Sequence, residues 1–189
     1  QAYDGAVHIL IVGSMAGATG SGSFAQVALA LKHAARARGS MATVRGVFLL
    51  PDVYARSGAL KTSQVPNVLA NGYAALKELN AITVRAKLPT RKGNFDFEYI
   101  PGGKLMDGAS PFEAITFVDY ENVSGGTMGR DIGSYVKMAA RAGYLMIFSP
   151  LGARYGSVTV NDVRQKIAAV ANGSTNLYSG IGVSAVKYP

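Results

Sequence analysis

A glycine-rich stretch near the amino terminus contains residue types that could hold a phosphate group. It reads VGSMAGATGSGSFAQ, residues 12–26, and lies between an apolar run and a stretch with helical spacing. Glycine lets backbone N–H groups approach an anion closely, and the first turn of a helix adds partial positive charge. The pattern therefore predicts a phosphate cradle. The alternative is a plain glycine-rich turn that packs a helix on a sheet.

Two common phosphate-binding patterns fit this stretch poorly. The P-loop pattern G-x-x-x-x-G-K-[ST] requires a lysine that the stretch lacks. The dinucleotide pattern G-x-G-x-x-[GA] occurs as Gly20, Gly22 and Ala25, but in that fold the first glycine directly follows the strand. Here Gly20 comes seven residues after Gly13. The spacing thus disfavours a nicotinamide- or flavin-dependent Rossmann oxidoreductase with Asp52 on the ribose, which remains an alternative.

Strands and helices alternate around the glycine-rich stretch. Short apolar runs predict strands at Val7–Val12, Ala42–Leu50, Ala114–Asp119 and Leu177–Val186. Helical spacing predicts helices at Ser23–Arg38, Pro66–Asn80, Thr127–Phe148 and Asn161–Ala171, with a loop or hairpin within 83–108. Continuous apolar strands separated by helices indicate a buried parallel sheet with right-handed crossovers.

Composition limits the class of protein. The chain has 189 residues, 49% of them hydrophobic and 16% charged, which fits one globular domain. It has no cysteine, which excludes disulfides and thiolate metal sites. No apolar run is long enough to span a membrane, and from this sequence we expect no signal peptide. The chain begins without methionine, so we expect it to be a piece of a longer protein.

A formal net charge of +8 raises the question of an anionic partner. The basic residues are spread along the chain, as on solvated faces and helix ends. The other interpretation is attraction to nucleotide phosphates, nucleic acid or an acidic protein surface. No RNA- or DNA-binding motif accompanies the charge, so nucleic acid is the weaker alternative.

The stretch from Met15 to Ser23 resembles the signature of the tubulin and FtsZ superfamily, G-G-G-T-G-[ST]-G. The matching residues are Gly17, Thr19, Gly20, Ser21 and Gly22. Ala16 and Ala18 replace two of the family's glycines, and Ala18 adds a methyl group where the family has bare backbone. The resemblance implies that residues 16–22 hold nucleotide phosphates.

The resemblance extends to two further segments. NVLANGYAALKEL, residues 67–79, is similar to the helix whose asparagine contacts the nucleotide sugar or base, with Asn71 the first candidate and Asn67 the second. A helix N-terminal cap is the alternative for Asn67. FVDYENVSG, residues 117–125, resembles the strand end that precedes the central helix. There the resemblance implies that Tyr120 stacks on guanine and that Asn122 pairs with the base edge.

A third segment, GSVTVNDVRQKI at residues 156–167, resembles the synergy loop N-x-D-x-x-D, which completes the GTPase site of the next subunit in a filament. Asp162 occupies the second acidic position, whereas Thr159 replaces the first acid and Ser157 the asparagine. A hydroxyl group is not a base at neutral pH. The resemblance therefore implies slow hydrolysis that depends on Asp162 and Asn161.

The resemblance implies a Rossmann-like three-layer α/β fold, with helices on both faces of a parallel sheet and a long central helix. Residues 1–150 would form the second half of a nucleotide-binding domain. Residues 151–189 would hold the synergy loop and the start of the next domain. The motifs look closest to the large bacterial tubulin-like proteins, and the chain would lack the first phosphate loop and most of the C-terminal domain.

The function implied is a GTP-binding cytoplasmic protein that assembles into filaments or oligomers or joins another protein. Its cofactor would be GTP or GDP, with or without Mg²⁺, and its activity a weak GTPase. The alternative is a degenerate tubulin fold that acts as a structural or interaction module without nucleotide turnover. Ala18 and Thr159 favour that alternative.

Overall fold

The computed structural model describes residues 7–87, 98–101, 103–104, 110–122, 124–150 and 179–181. The strands are β1 (Val7–Ser14), β2 (Ala42–Leu49), β3 (Glu98–Ile100), β4 (Gly103–Lys104), β5 (Ala114–Val118) and β6 (Ser179–Ile181). The helices are α1 (Ala18–Ala37), α2 (Pro51–Ser57), α3 (Val65–Lys87) and α4 (Ile132–Phe148), with a 3₁₀ turn at Thr62–Gln64.

Four strands form one parallel sheet in the order β1-β2-β5-β6, and β3 and β4 form a separate antiparallel pair. In the register of the sheet, Leu49 of β2 lies opposite Ser14 of β1 and Val118 of β5. Val118 in turn lies opposite Ile181 of β6. The four strands therefore end at one level, which we call the carboxyl edge.

Helices cover both faces of the sheet. On one face, α1 and α3 enclose a core in which Phe24, Phe48 and Phe112 pack edge-to-face or stacked. On the other face, α2 and α4 enclose a second core that contains the fully buried Val53 and Tyr135. This arrangement confirms the predicted α/β fold with a parallel sheet and helices on both faces.

Helix α1 begins five residues earlier than predicted, because the glycine-rich stretch is itself helical. The spacing of apolar residues placed the predicted start at Ser23. Glycine weakens a helix interior by about 1 kcal/mol relative to alanine. In the structure α1 begins at Ala18 and contains Gly20 and Gly22. A Cβ on Gly20 would lie 2.7 Å from the carbonyl oxygen of Ser14. Close packing on β1 therefore outweighs helix propensity here.

The other differences lie at element ends. Residues 51–57, for which no helix was predicted, form α2, with Pro51 in its first turn. Helix α3 continues beyond Asn80 to Lys87. Helix α4 begins at Ile132 instead of Thr127, because Asp131 caps it through bonds from the N–H groups of Gly133 and Ser134. The predicted helix at 161–171 lies outside the described residues.

Candidate functional site

The carboxyl edge brings together three segments that are distant in sequence. β1 leads through Met15–Gly17 into α1, β2 leads through Leu50 into α2, and β5 leads into residues 119–122. Ligands of open α/β sheets bind outside the carboxyl ends of the strands. The residues predicted at 16–22, 120 and 122 therefore share the edge at which such a ligand would lie.

The first turn of α1 presents uncapped amide groups. Gly17 is the N-cap in an extended conformation, φ −96° and ψ 149°, and this helix start has no side-chain cap hydrogen bond. The first intrahelical bond runs from the N–H of Ser21 to the carbonyl of Gly17, at 2.9 Å. The four residues from Gly17 to Gly20 are exposed, and the first turn contains no acidic residue. Their amide groups and the helix dipole therefore favour an anion.

The predicted phosphate residues divide into exposed and buried positions. Ala16 is buried, and its N–H donates to Oγ of Ser14 at 3.0 Å, so this amide already has an acceptor. Ser21 is buried as well. In contrast, Ala18, Thr19, Gly20 and Gly22 are exposed. Ala18 has no positive φ, so its methyl group causes no backbone strain.

Contacts with the ends of β1 and β2 fix the turn before α1. Met15 is fully buried, and its N–H donates to the carbonyl of Leu49 at 2.9 Å. Gly20 packs closely against the carbonyl oxygen of Ser14, as described above. The start of α1 therefore sits directly on the ends of β1 and β2.

Asn71, the first of the two predicted asparagines of α3, is adjacent in the chain to a contact with α2. Gly72, next to Asn71, is buried at a helix contact so close that a Cβ would lie 1.9 Å from Cγ of Pro51. This contact holds Asn71, which is half-buried, beside the segment that leaves β2. Asn67 is exposed and is the third residue of α3, so it is not the N-cap.

Two side chains pack against the ring of Tyr120. The ring of Tyr135 stacks on one face, with centroids 5.6 Å apart and an interplanar angle of 17°. The guanidinium carbon of Arg56 lies 4.4 Å from the centroid on the Tyr120 ring. Only 7% of Tyr120 is exposed. A base could stack on this ring only after Arg56 moved away.

Asn122 shapes the loop that follows Tyr120. Its Oδ1 accepts from the N–H groups of Ser124 (2.9 Å) and Gly126 (2.7 Å). Gly125 has a φ of +75°, which side chains other than glycine's rarely adopt. The amide oxygen of Asn122 is therefore used within the loop.

Tyr135 of α4 ties this loop to the core. Its hydroxyl donates to the carbonyl of Tyr120 at 2.8 Å and accepts from the N–H of Met128 at 3.2 Å. The same hydroxyl lies 2.7 Å from Oγ1 of Thr127. This role of the Tyr135 hydroxyl was not predicted from the sequence.

Arg56 and Glu121 form an ion pair that sequence reasoning missed. Nη2 of Arg56 donates to Oε2 of Glu121 at 2.8 Å, and Nη1 lies 3.8 Å from Oδ2 of Asp52. The hydrogen bond from Arg56 lowers the pKa of the Glu121 carboxyl, and the same bond raises the pKa of Arg56. The i,i+4 spacing of Asp52 and Arg56 was the signal available in the sequence.

The synergy-loop residues Asn161 and Asp162, and the neighbouring Thr159 and Ser157, lie outside the described residues. Within the described part of the chain, no group of three or more His, Asp or Glu side chains is arranged to hold a metal ion. None of the helices described is long and apolar enough to cross a membrane.

Comparison with known proteins gives one family. The sequence model of a family described as tubulin-like matches residues 1–189, which is the whole chain. No curated protein and no solved structure has a significant match.

Proposed function

Because the chain belongs to the tubulin-like family, we propose that it binds GTP or GDP at the carboxyl edge of its sheet. The observation that carries this proposal is the exposed first turn of α1, where the amide groups of 17–20 have no side-chain cap. An anion at a helix N-terminus is stabilised both by these donors and by the helix dipole. The phosphates would lie there.

The residues that can donate hydrogen bonds to a phosphate are fewer than the predicted set, residues 16–22. Gly17, Ala18, Thr19 and Gly20 supply exposed backbone, whereas Ala16 and Ser21 face the interior. We assign the phosphate contacts to the first group and a supporting role to the second. A Mg²⁺ ion would be held mainly by the nucleotide phosphates and water, as is common for this ion.

The sugar and base would lie toward β5. Adjacent strands are about 4.8 Å apart, so β1 and β5, which flank β2, are separated by about 10 Å. A nucleotide can span this distance with its phosphates on α1 and its base near Tyr120 and Asn122. Asn71, with Asn67 as the second candidate, would contact the ribose or base from α3.

Filament assembly and slow GTP hydrolysis complete the proposal. Asp162 and Asn161 of one subunit would act on the nucleotide held by its neighbour. With Thr159 where the family signature has an acid, only one carboxylate would polarise the attacking water. We therefore expect polymers that turn over their nucleotide slowly.

One structural observation favours the second candidate, a tubulin-fold interaction module without nucleotide turnover. Only 7% of Tyr120 is exposed, and Tyr135 and Arg56 pack against its ring. Such a module would form the same filaments or complexes with and without nucleotide. The family match lends no support to a dinucleotide-dependent oxidoreductase.

Calorimetric titration of GTP and of ATP into the full chain, with and without Mg²⁺, tests the proposal. We expect GTP to bind and ATP to bind at least tenfold more weakly, because amide groups near the base distinguish the two purine edges. Absence of binding by both nucleotides would overturn the nucleotide part and leave the interaction module.

A further inference from the structure

The stack of Tyr135, Tyr120 and Arg56 ends in a guanidinium group that faces outward. Arg56 is the exposed member of this stack, with 43% of its side chain accessible, whereas Tyr135 is fully buried and Tyr120 nearly so. The guanidinium lies on the Tyr120 ring at 4.4 Å. The accessible stacking surface at this point of the edge therefore belongs to Arg56.

Two carboxylates hold the guanidinium of Arg56. Glu121 accepts a hydrogen bond from it at 2.8 Å, and Asp52, one helical turn earlier on α2, lies 3.8 Å away. Helix α2 is itself anchored by Pro51, Val53 and Ser57, which are buried. The Tyr120 ring therefore orients the face of the Arg56 guanidinium, and the two carboxylates orient its edge, before any ligand binds.

Glu121 connects this stack to the loop that the nucleotide proposal uses. It lies between Tyr120 and Asn122 in the chain and forms an isolated bridge with Thr127. The guanidinium held by Glu121 therefore lies on the β5 side of the carboxyl edge. This is the side where the base is expected when the phosphates bind α1.

From this geometry we propose that the base of the bound nucleotide stacks on the outer face of the Arg56 guanidinium and not on the Tyr120 ring. A planar, delocalised guanidinium stacks on nucleobases, and a cation already seated on an aromatic ring loses little freedom when it does so. The inference rests on the proposed function, because it assigns the base contact of that same site.

The stacking role of Arg56 can be distinguished from two other roles. In a gate, Arg56 would block Tyr120, so removing it would strengthen nucleotide binding. In a purely electrostatic role, Arg56 would act through its charge, so lysine would replace it. A stacking surface predicts that both alanine and lysine weaken binding, because lysine keeps the charge and lacks the planar group.

The test compares GTP with ribose 5′-triphosphate, which carries the phosphates without the base. Both are titrated into the full chain and into Arg56→Ala, Arg56→Lys and Arg38→Ala. The last variant removes an exposed positive charge at the C-terminal end of α1, far from the carboxyl edge. Circular dichroism melting of each variant verifies folding, which we expect to be retained because Arg56 is exposed.

We expect both Arg56 variants to bind GTP about tenfold more weakly, the size of a typical base-stacking contribution. Binding of ribose 5′-triphosphate should change less than threefold, and Arg38→Ala should match the original chain for both ligands. Tighter GTP binding by Arg56→Ala, or unchanged binding by Arg56→Lys, would overturn the inference. If the original chain binds neither ligand, the proposed function itself is overturned. That result differs from the two outcomes that overturn only the role of Arg56.

Discussion

At the scale of single residues, Glu113 shows how one side chain fixes the start of a strand. Its backbone N–H donates to the carbonyl of Val44 at 2.9 Å, and its Oε2 accepts from the N–H of Val44 at 2.6 Å. Its other carboxylate oxygen pairs with Nζ of Lys32 on α1, which also donates to the carbonyl of Ser110. One carboxylate thus connects β2, β5 and α1.

We expect Glu113→Ala to lower the free energy of unfolding by about 2 kcal/mol, because it leaves the buried Val44 N–H without its acceptor and Lys32 without its counter-ion. Urea denaturation measures this loss. Asp52→Ala is the control, since its ion pair with Arg56 is exposed and 3.8 Å long, and it should cost less than about 0.5 kcal/mol. Equal losses in the two variants would contradict the role of Glu113.

The residue scale also shows the limit of prediction from sequence. The position of Tyr120 at the strand end was predictable, because an apolar strand directly precedes it. Its burial was not, because Arg56 and Tyr135, which cover it, come from α2 and α4. Contacts between distant elements depend on how the helices pack, and a single sequence does not contain that information.

At the scale of elements, apolar runs located the strands well, and local propensity misplaced the helix ends. β1, β2 and β5 lie where the continuous apolar segments predicted them. The predicted start of α1 was wrong because α1 includes both glycines, of which Gly20 packs closely on Ser14 of β1. Helix α2 was missed because seven residues that begin with proline also fit a turn. These errors matter, since both helix starts belong to the proposed site.

The contact between α2 and α3 depends on Gly72. An alanine there would place its Cβ 1.9 Å from Pro51, a rigid ring, so the helices would have to separate. We expect Gly72→Ala to destabilise the fold by about 2 kcal/mol, because overpacking outweighs the gain in helix propensity. Gly22→Ala, measured without nucleotide, is the matched control, because nothing lies within 4 Å of its added Cβ.

Thermal unfolding of the two variants measures the difference. Gly22→Ala should be as stable as the original chain or more stable, by up to about 1 kcal/mol. A Gly72→Ala protein as stable as Gly22→Ala would show that α2 and α3 can separate at little cost.

At the scale of the whole molecule, the parallel sheet collects the proposed site. All four strands end at one level. The segments that follow β1, β2 and β5, from Gly17 to Asn122, therefore meet at one edge although they are far apart in sequence. The match to the tubulin-like family covers the chain that builds this sheet.

The central claim is that the first turn of α1 binds the phosphates of GTP, and a charge placed in that turn tests it. Ala18 is exposed, and the turn has no acidic residue. Ala18→Asp should stabilise the free protein through the helix dipole and repel phosphate, whereas Ala18→Asn has nearly the same shape without the charge. The expected effects on stability and on binding are therefore opposite in sign.

The most direct measurement is the shift in melting temperature that GTP causes in the original chain, Ala18→Asn and Ala18→Asp. A ligand at 100 times its Kd stabilises a protein by about 2.7 kcal/mol, so the first two proteins should melt several degrees higher with GTP. Ala18→Asp should melt at least as high as Ala18→Asn without GTP and show no shift with it. An Ala18→Asp protein that GTP stabilises as strongly as Ala18→Asn, or an original chain that GTP does not stabilise, would contradict the account.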